Sequence, residues 1–218
     1  MVNCPICKRQ FKTAAALAQH KRDSHSAPAQ PVRRVPRVAR NPNPQSLPAG
    51  GFREGELVIG REELLDSPSI KAQVTEYKKA IFVKPSADVL PWLGKLAANF
   101  EQIEWHSIKL VWKPAVGTTF NGSVVIGVDW NANTTEATRA KAQAAVPHID
   151  TPIWQKGVMV LPQNRLQSRK TYVLGADSKV DQGPGVVLFT ARVSAPDREV
   201  FLGDLWLDYK VRLIGPTA

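Results

Sequence analysis

Residues 90–130 read LPWLGKLAANFEQIEWHSIKLVWKPAVGTTFNGSVVIGVDW, and this stretch decides the fold. Pro91 suits a first helical position, where a missing N–H costs nothing. Trp92, Leu93, Leu96, Ala97 and Phe100 then recur at helical spacing on one side. Two strand patterns follow. Ile108, Leu110 and Trp112 alternate with Lys109, Val111 and Lys113; Val124, Ile126, Val128 and Trp130 alternate with Ser123, Val125, Gly127 and Asp129. Period-2 alternation assigns one set of each to a buried face. The stretch is therefore a short helix ahead of two long strands, joined through residues 114–122.

Outward from this centre, residues 51–218 carry more strand signals. Leu57, Ile59 and Glu62–Leu65 predict a first strand, and Val74–Val83 a second. Val158–Leu161, Tyr172–Leu174, Val186–Val193 and Leu205–Leu213 predict four more, the last with Leu205, Leu207, Tyr209, Val211 and Leu213 in strict alternation. Thr134–Ala145 reads as a helix capped by Thr134 or Thr135. Short strands with Gly- and Pro-containing loops between them predict an all-β domain. The expectation is an eight-stranded antiparallel jelly-roll sandwich with about two short helices.

The helix–strand order of residues 90–130 resembles the shell domain of small icosahedral positive-strand RNA virus coat proteins, of tombusvirus, necrovirus and sobemovirus type. The matching features are P-W-L followed by Ala97 and Phe100, a strand ending Trp112-Lys113-Pro114, and the G-S-V strand ending at Asp129. The resemblance runs from about Gly51 to Pro216. It implies a capsid subunit that self-assembles into an icosahedral shell and packages single-stranded RNA, found in the virion and, before assembly, in the host cytoplasm. It also implies calcium between subunits at Asp129 and Asn131. Asn131 and Asn133 stand where further carboxylates are expected, and calcium favours several oxygens with more than one carboxylate. The residues taken alone read as a turn capping the next helix. Because the chain stops soon after its last strand, the plan expected is one without a protruding domain, as in necroviruses and sobemoviruses.

Residues 1–25 are of a different kind. Cys4 and Cys7 are separated by two residues, Cys7 and His20 by twelve, and His20 and His25 by four. This is the spacing of a two-cysteine, two-histidine ββα zinc finger, with zinc as the cofactor. A hairpin offers two thiolates, a helix two imidazoles, and together they close a tetrahedral site. Phe11 and Leu17 supply its small core. If the finger read DNA, Thr13, Ala16 and Gln19 would occupy the base-contacting positions, and only Gln19 is a good reader.

Residues 26–50 contain six prolines, at 28, 31, 36, 42, 44 and 48, and few large apolar side chains. They are expected to form a disordered arm. Of the net charge of +10, residues 1–50 hold +8, from nine basic residues against Asp23 alone. Lys8, Arg9, Lys12, Lys21 and Arg22 in the finger, with Arg33, Arg34, Arg37 and Arg40 in the arm, are the expected RNA contacts.

The body holds only His106 and His148 as histidines, no cysteine, no G-x-S-x-G and no phosphate-cradling glycine loop. No enzyme activity and no small-molecule substrate are expected. No stretch has the length and apolarity of a membrane-spanning helix, and no membrane partner is expected. The competing assignment is a cellular adaptor, a zinc finger tethered to a β-sandwich interaction domain. A carbohydrate-binding sandwich would need an exposed aromatic platform.

Overall fold

Leu205, Leu207, Tyr209, Val211 and Leu213 are all buried, and the residues between them are half-exposed. The last strand is thus a two-faced ribbon, paired along both edges, around which the rest of the domain is arranged. The computed structural model describes residues 1–25, 52–53 and 55–217, and the chain divides into two units between Ser46 and Leu47.

The first unit holds the hairpin β1 (Val2–Asn3) and β2 (Gln10–Phe11), then α1 (Ala14–His25). The second runs β3 (Phe52–Arg53), β4 (Glu56–Asp66), β5 (Ser69–Ile70), β6 (Glu76–Phe82), α2 (Pro91–Ala97), β7 (Phe100–Pro114), β8 (Gly122–Asp129), α3 (Arg139–Ala144) and β9 (His148–Pro152). It continues through β10 (Gly157–Val160), α4 (Gln163–Leu166), β11 (Tyr172–Val173), α5 (Lys179–Gln182), β12 (Val186–Val193), β13 (Val200–Phe201) and β14 (Gly203–Pro216).

Two large antiparallel sheets make the body, with β5 and β13 forming a separate two-stranded pair. One has the order β10-β7-β14-β4-β3, with β11 also on β7; the other has the order β6-β12-β8-β9. Eight strands, four from each sheet, form the expected jelly roll. Their inner faces meet in one core that includes Trp105, Trp112, Ile126, Phe189 and Tyr209. Trp112 lies 5.4 Å from Phe189, ring to ring, and donates its indole N–H to the carbonyl of Ile153 at 3.2 Å.

The long strand β7 changes phase. Ile103 and Trp105 are buried before His106, and Ile108, Leu110 and Trp112 after it. Against β14, Val211 pairs with Trp105 and Lys210 with Ser107, so His106 is the extra residue of a bulge. Without that residue Trp105 would turn to the outer face, because side chains alternate strictly along a strand.

Three sequence expectations need correction. The helix expected over Thr134–Ala145 is confined to Arg139–Ala144, and its cap is Thr138, whose Oγ1 accepts from Lys141 N at 3.3 Å. Tyr172–Leu174 is not one of the eight main strands: Tyr172 and Val173 make a two-residue pair beside β7. The eighth strand is β9, an edge strand ending in Pro152 whose largest apolar residue is Ile149. Its edge position tolerates Pro152, and with only Ile149 and Thr151 half-buried it offers little apolar alternation to read. The boundary expected between residues 25 and 26, and the arm 26–50 itself, lie outside the described residues.

The six tryptophans also separate. Trp105 and Trp112 are fully buried, Trp130 and Trp206 half-buried, and Trp92 and Trp154 exposed. Trp92 therefore does not join Leu93, Ala97 and Phe100 in the core; its ring lies under the Arg61 guanidinium, 4.4 Å away.

Candidate metal centre

The hairpin and helix of the first unit bring together the four residues singled out by spacing. Between the strands, Lys8 N donates to Cys4 O at 2.9 Å and Cys4 N to Arg9 O at 2.8 Å, closing a knuckle with Lys8 at φ 60°. That knuckle sets Cys4 and Cys7 side by side. Thr13 starts α1, with its Oγ1 accepting from Ala16 N at 3.3 Å. One helical face then presents His20 and His25. Phe11 and Leu17 are half-buried, and the Phe11 ring lies 4.7 Å from that of His20.

The four ligand atoms of Cys4, Cys7, His20 and His25 all lie within 4.8 Å of one another. Cys7 Sγ is 3.0 Å and His25 Nε2 3.1 Å from His20 Nε2. Cys4 is buried, and its thiol is held below the usual range, chiefly by a hydrogen bond from the Cys7 backbone N–H. The Ile6 N–H, the Cys7 side chain and the charge of Lys21 act in the same direction, against burial. Two sulfurs and two imidazoles at this separation form a donor set able to hold a metal ion.

Around this centre Lys8, Arg9, Lys12, Lys21 and Arg22 are all exposed. Arg33, Arg34, Arg37 and Arg40 fall outside the described residues. The second metal expectation rests on a turn after β8. The Asp129 Oδ1 accepts from Asn131 N at 2.9 Å and its Oδ2 from Thr134 Oγ1 at 2.6 Å; Asn131 Oδ1 accepts from Asn133 N at 3.1 Å. Asp129 and Asn131 are thus engaged in the turn-forming role open to them from sequence.

In the body, His106 occupies the β7 bulge, and His148 donates from Nδ1 to Ala145 O at 2.8 Å. One structurally decisive residue carried no sequence signal. Glu63 of β4 is buried, and its carboxylate accepts from Trp92 N at 2.8 Å, Leu93 N at 3.1 Å and the Tyr209 hydroxyl. It thereby caps α2 from another element, supplying acceptors that Leu90 at the helix start lacks.

A family model described as viral coat protein (S domain) matches residues 26–218. The capsid protein of Cucumber necrosis virus is 28% identical over 128 residues, covering 57% of this chain and 32% of that protein. The chain spans about a third of the length of that curated relative. Among solved structures, Tobacco necrosis virus superposes with a TM-score of 0.67 at 18% identity, covering 80% of this chain and 89% of the other. The crystal structure of Cucumber Necrosis Virus gives 0.64 at 20% identity, covering 76% and 58%. The jelly roll, its two-sheet order and the family match over most of the sequence lead to one conclusion: the chain belongs to the viral coat protein (S domain) family, whose proteins are structural components of the capsid.

Proposed function

We propose that this chain is the repeating subunit of an icosahedral shell and that its basic front end packages single-stranded RNA. The observation that carries the first half is the family match over residues 26–218 together with the jelly-roll body. Identical subunits in closed symmetry reuse the same surfaces many times, and a rigid two-sheet body suits that use. The second half rests on charge: nine cations against one acid in residues 1–50, on a body that is close to neutral. Each phosphate neutralised releases counterions, so binding falls with salt; with all nine engaged the log–log slope is about −6. The cellular adaptor accounts for the finger but gives no reason for the coat-protein body. The protein would then reside in the virion, and in the host cytoplasm before assembly.

The metal in this reading is zinc, held by Cys4, Cys7, His20 and His25. So small a unit has almost no core, and its folding energy comes from the metal. Titrating the purified protein with a strong chelator is therefore expected to remove the helical circular dichroism of α1 while leaving the strand signal. Zinc, but not magnesium, restores it and protects both thiols from alkylation. A spectrum and alkylation rate unmoved by chelation would refute a structural zinc. Calcium at Asp129 and Asn131 is the further metal in the proposal; it would need oxygens beyond these two, since the ion takes about six to eight.

The deciding experiment is electron microscopy of the protein expressed with its RNA, with absorbance at 260 nm on the same fraction. Uniform closed particles containing nucleic acid are expected. Deleting residues 1–50 leaves the body folded and removes the nucleic-acid absorbance. Small species alone, at every salt and calcium concentration, would overturn the shell.

A further inference from the structure

Beyond the finger and arm, the body has a concave site lined by two cations and an aromatic ring. A cavity of about 420 Å³ opens between the end of β8, the last turn of α3 and α4, and its lining includes Trp130, Lys141, Val146 and Arg165. This volume lies within the range of about 300–1,000 Å³ usual for small-ligand sites. Lys141 and Arg165 are exposed, and neither forms an ion pair among the described residues. Nearby Arg139, by contrast, is paired with Asp150, and Arg169 with Asp181. Asp129 is the one acid in the lining; its oxygens accept from Asn131 N and Thr134 Oγ1, it forms no ion pair with Lys141 or Arg165 among the described residues, and its single charge leaves the two cations in excess.

The apolar wall is equally specific. The indole N–H of Trp130 donates to Val146 O at 2.7 Å, which fixes the ring against the segment that follows α3. Trp130 is half-buried, packed in part against the main core, and lines the cavity with its polar edge already occupied. Val146 extends that wall and is 76% exposed. Two unpaired cations beside a fixed aromatic ring are the elements that recognise single-stranded nucleic acid, base on ring and phosphate on cation. A paired duplex cannot present a base this way.

We propose that this cavity binds one unpaired nucleotide of RNA, its base against Trp130 and its phosphate between Lys141 and Arg165. The proposal rests on the reading that the protein packages RNA. The test is photocross-linking of the full chain to a short single-stranded oligonucleotide carrying 4-thiouridine, with cross-linked peptides identified by mass spectrometry. Cross-links are expected on the segment containing Trp130 as well as within residues 1–50. The double variant Lys141→Ser/Arg165→Ser should lower the Trp130 yield about tenfold and leave the yields in residues 1–50 unchanged. Both positions are exposed, so its melting temperature should match that of the parent. Cross-links confined to residues 1–50, or a Trp130 yield undiminished in the double variant, would overturn the pocket and leave the packaging reading intact. No cross-link anywhere would overturn both.

Discussion

Gly127→Val is expected to unfold or strongly loosen the body. Gly127 lies mid-strand in β8, where α3 crosses the outer face of the sheet. A Cβ there would stand 2.4 Å from the Ala142 carbonyl oxygen and 2.8 Å from Ala145 Cβ. The nearer neighbour is helix backbone, so relief requires α3 to lift away. That movement would uncover Val125, Ala137, Ala142, Val186 and Leu188, which form a second apolar cluster beneath the helix. Overpacking a core typically costs about 1–3 kcal/mol, and valine at this site belongs at or above the top of that range. Against a total stability of about 5–15 kcal/mol the loss is large. Urea unfolding should show a lower midpoint, and trypsin should cleave after Arg139 or Lys141 under native conditions. An unchanged midpoint with α3 still protected would show that the helix does not need this close approach.

The second large effect is expected at Glu63. Glu63→Ala leaves two α2 backbone N–H groups and the Tyr209 hydroxyl without their acceptor. A buried polar group left unpaired costs about 1–3 kcal/mol, so the variant should lose about 3–5 kcal/mol, some of it recovered where water reaches Trp92. Glu63→Gln, with one acceptor oxygen in place of two, should fall between. The carboxylate also shapes the response to alkali. The Tyr209 hydroxyl is pushed well above the ordinary tyrosine range by burial first, then by its hydrogen bond to Glu63 and the charge of Glu63. Tyr77, beside Asp66, is raised likewise, and so is Tyr172 by burial. A raised folded-state value means that stability is fully present below about pH 10, the ordinary tyrosine value, and declines as pH rises above it. Chemical denaturation at pH 9, 10 and 11 should show that decline in the parent. A flat profile over that range would mean that the tyrosines titrate alike in the folded and unfolded chain.

Both predictions concern residues that linear reading passes over, and the reasons are physical. Glu63 looks like any charged residue of a strand. It becomes a helix cap only because β4 pairs with β14, which holds Tyr209, and lies against the start of α2, about thirty residues further on. Gly127 sits at a position that alternation assigns to the outer face, and that face is buried only once α3 covers it. The runs Val124-Val125-Ile126 and Val186-Val187-Leu188-Phe189 belong to strands covered on both sides, which the one-sided alternation of β8, with Val125 on the outer face, passes over. The β7 bulge leaves a trace in the three-residue step from Trp105 to Ile108, which an alternation that begins at Ile108 does not include. The edge strand β9 left almost no trace, since one half-buried isoleucine is enough to hold it.

The sequence by itself determined what short-range spacing can encode. Ligands in a knuckle and on one helical face have their separation set by turn and helix geometry, so Cys4, Cys7, His20 and His25 could be placed together before any fold was known. Strict alternation made β14 a two-faced strand, and the order of helix and strands in residues 90–130 pointed to the shell-domain jelly roll. Tertiary structure alone decided which tryptophans are buried, that Thr138 starts α3, that Glu63 caps α2, and that Trp130, Lys141 and Arg165 share one cavity. Apart from the Thr138 cap, which is a local choice among several threonines, each of these depends on segments distant in sequence meeting in the fold, and period and spacing hold no information about such meetings until the strands have paired.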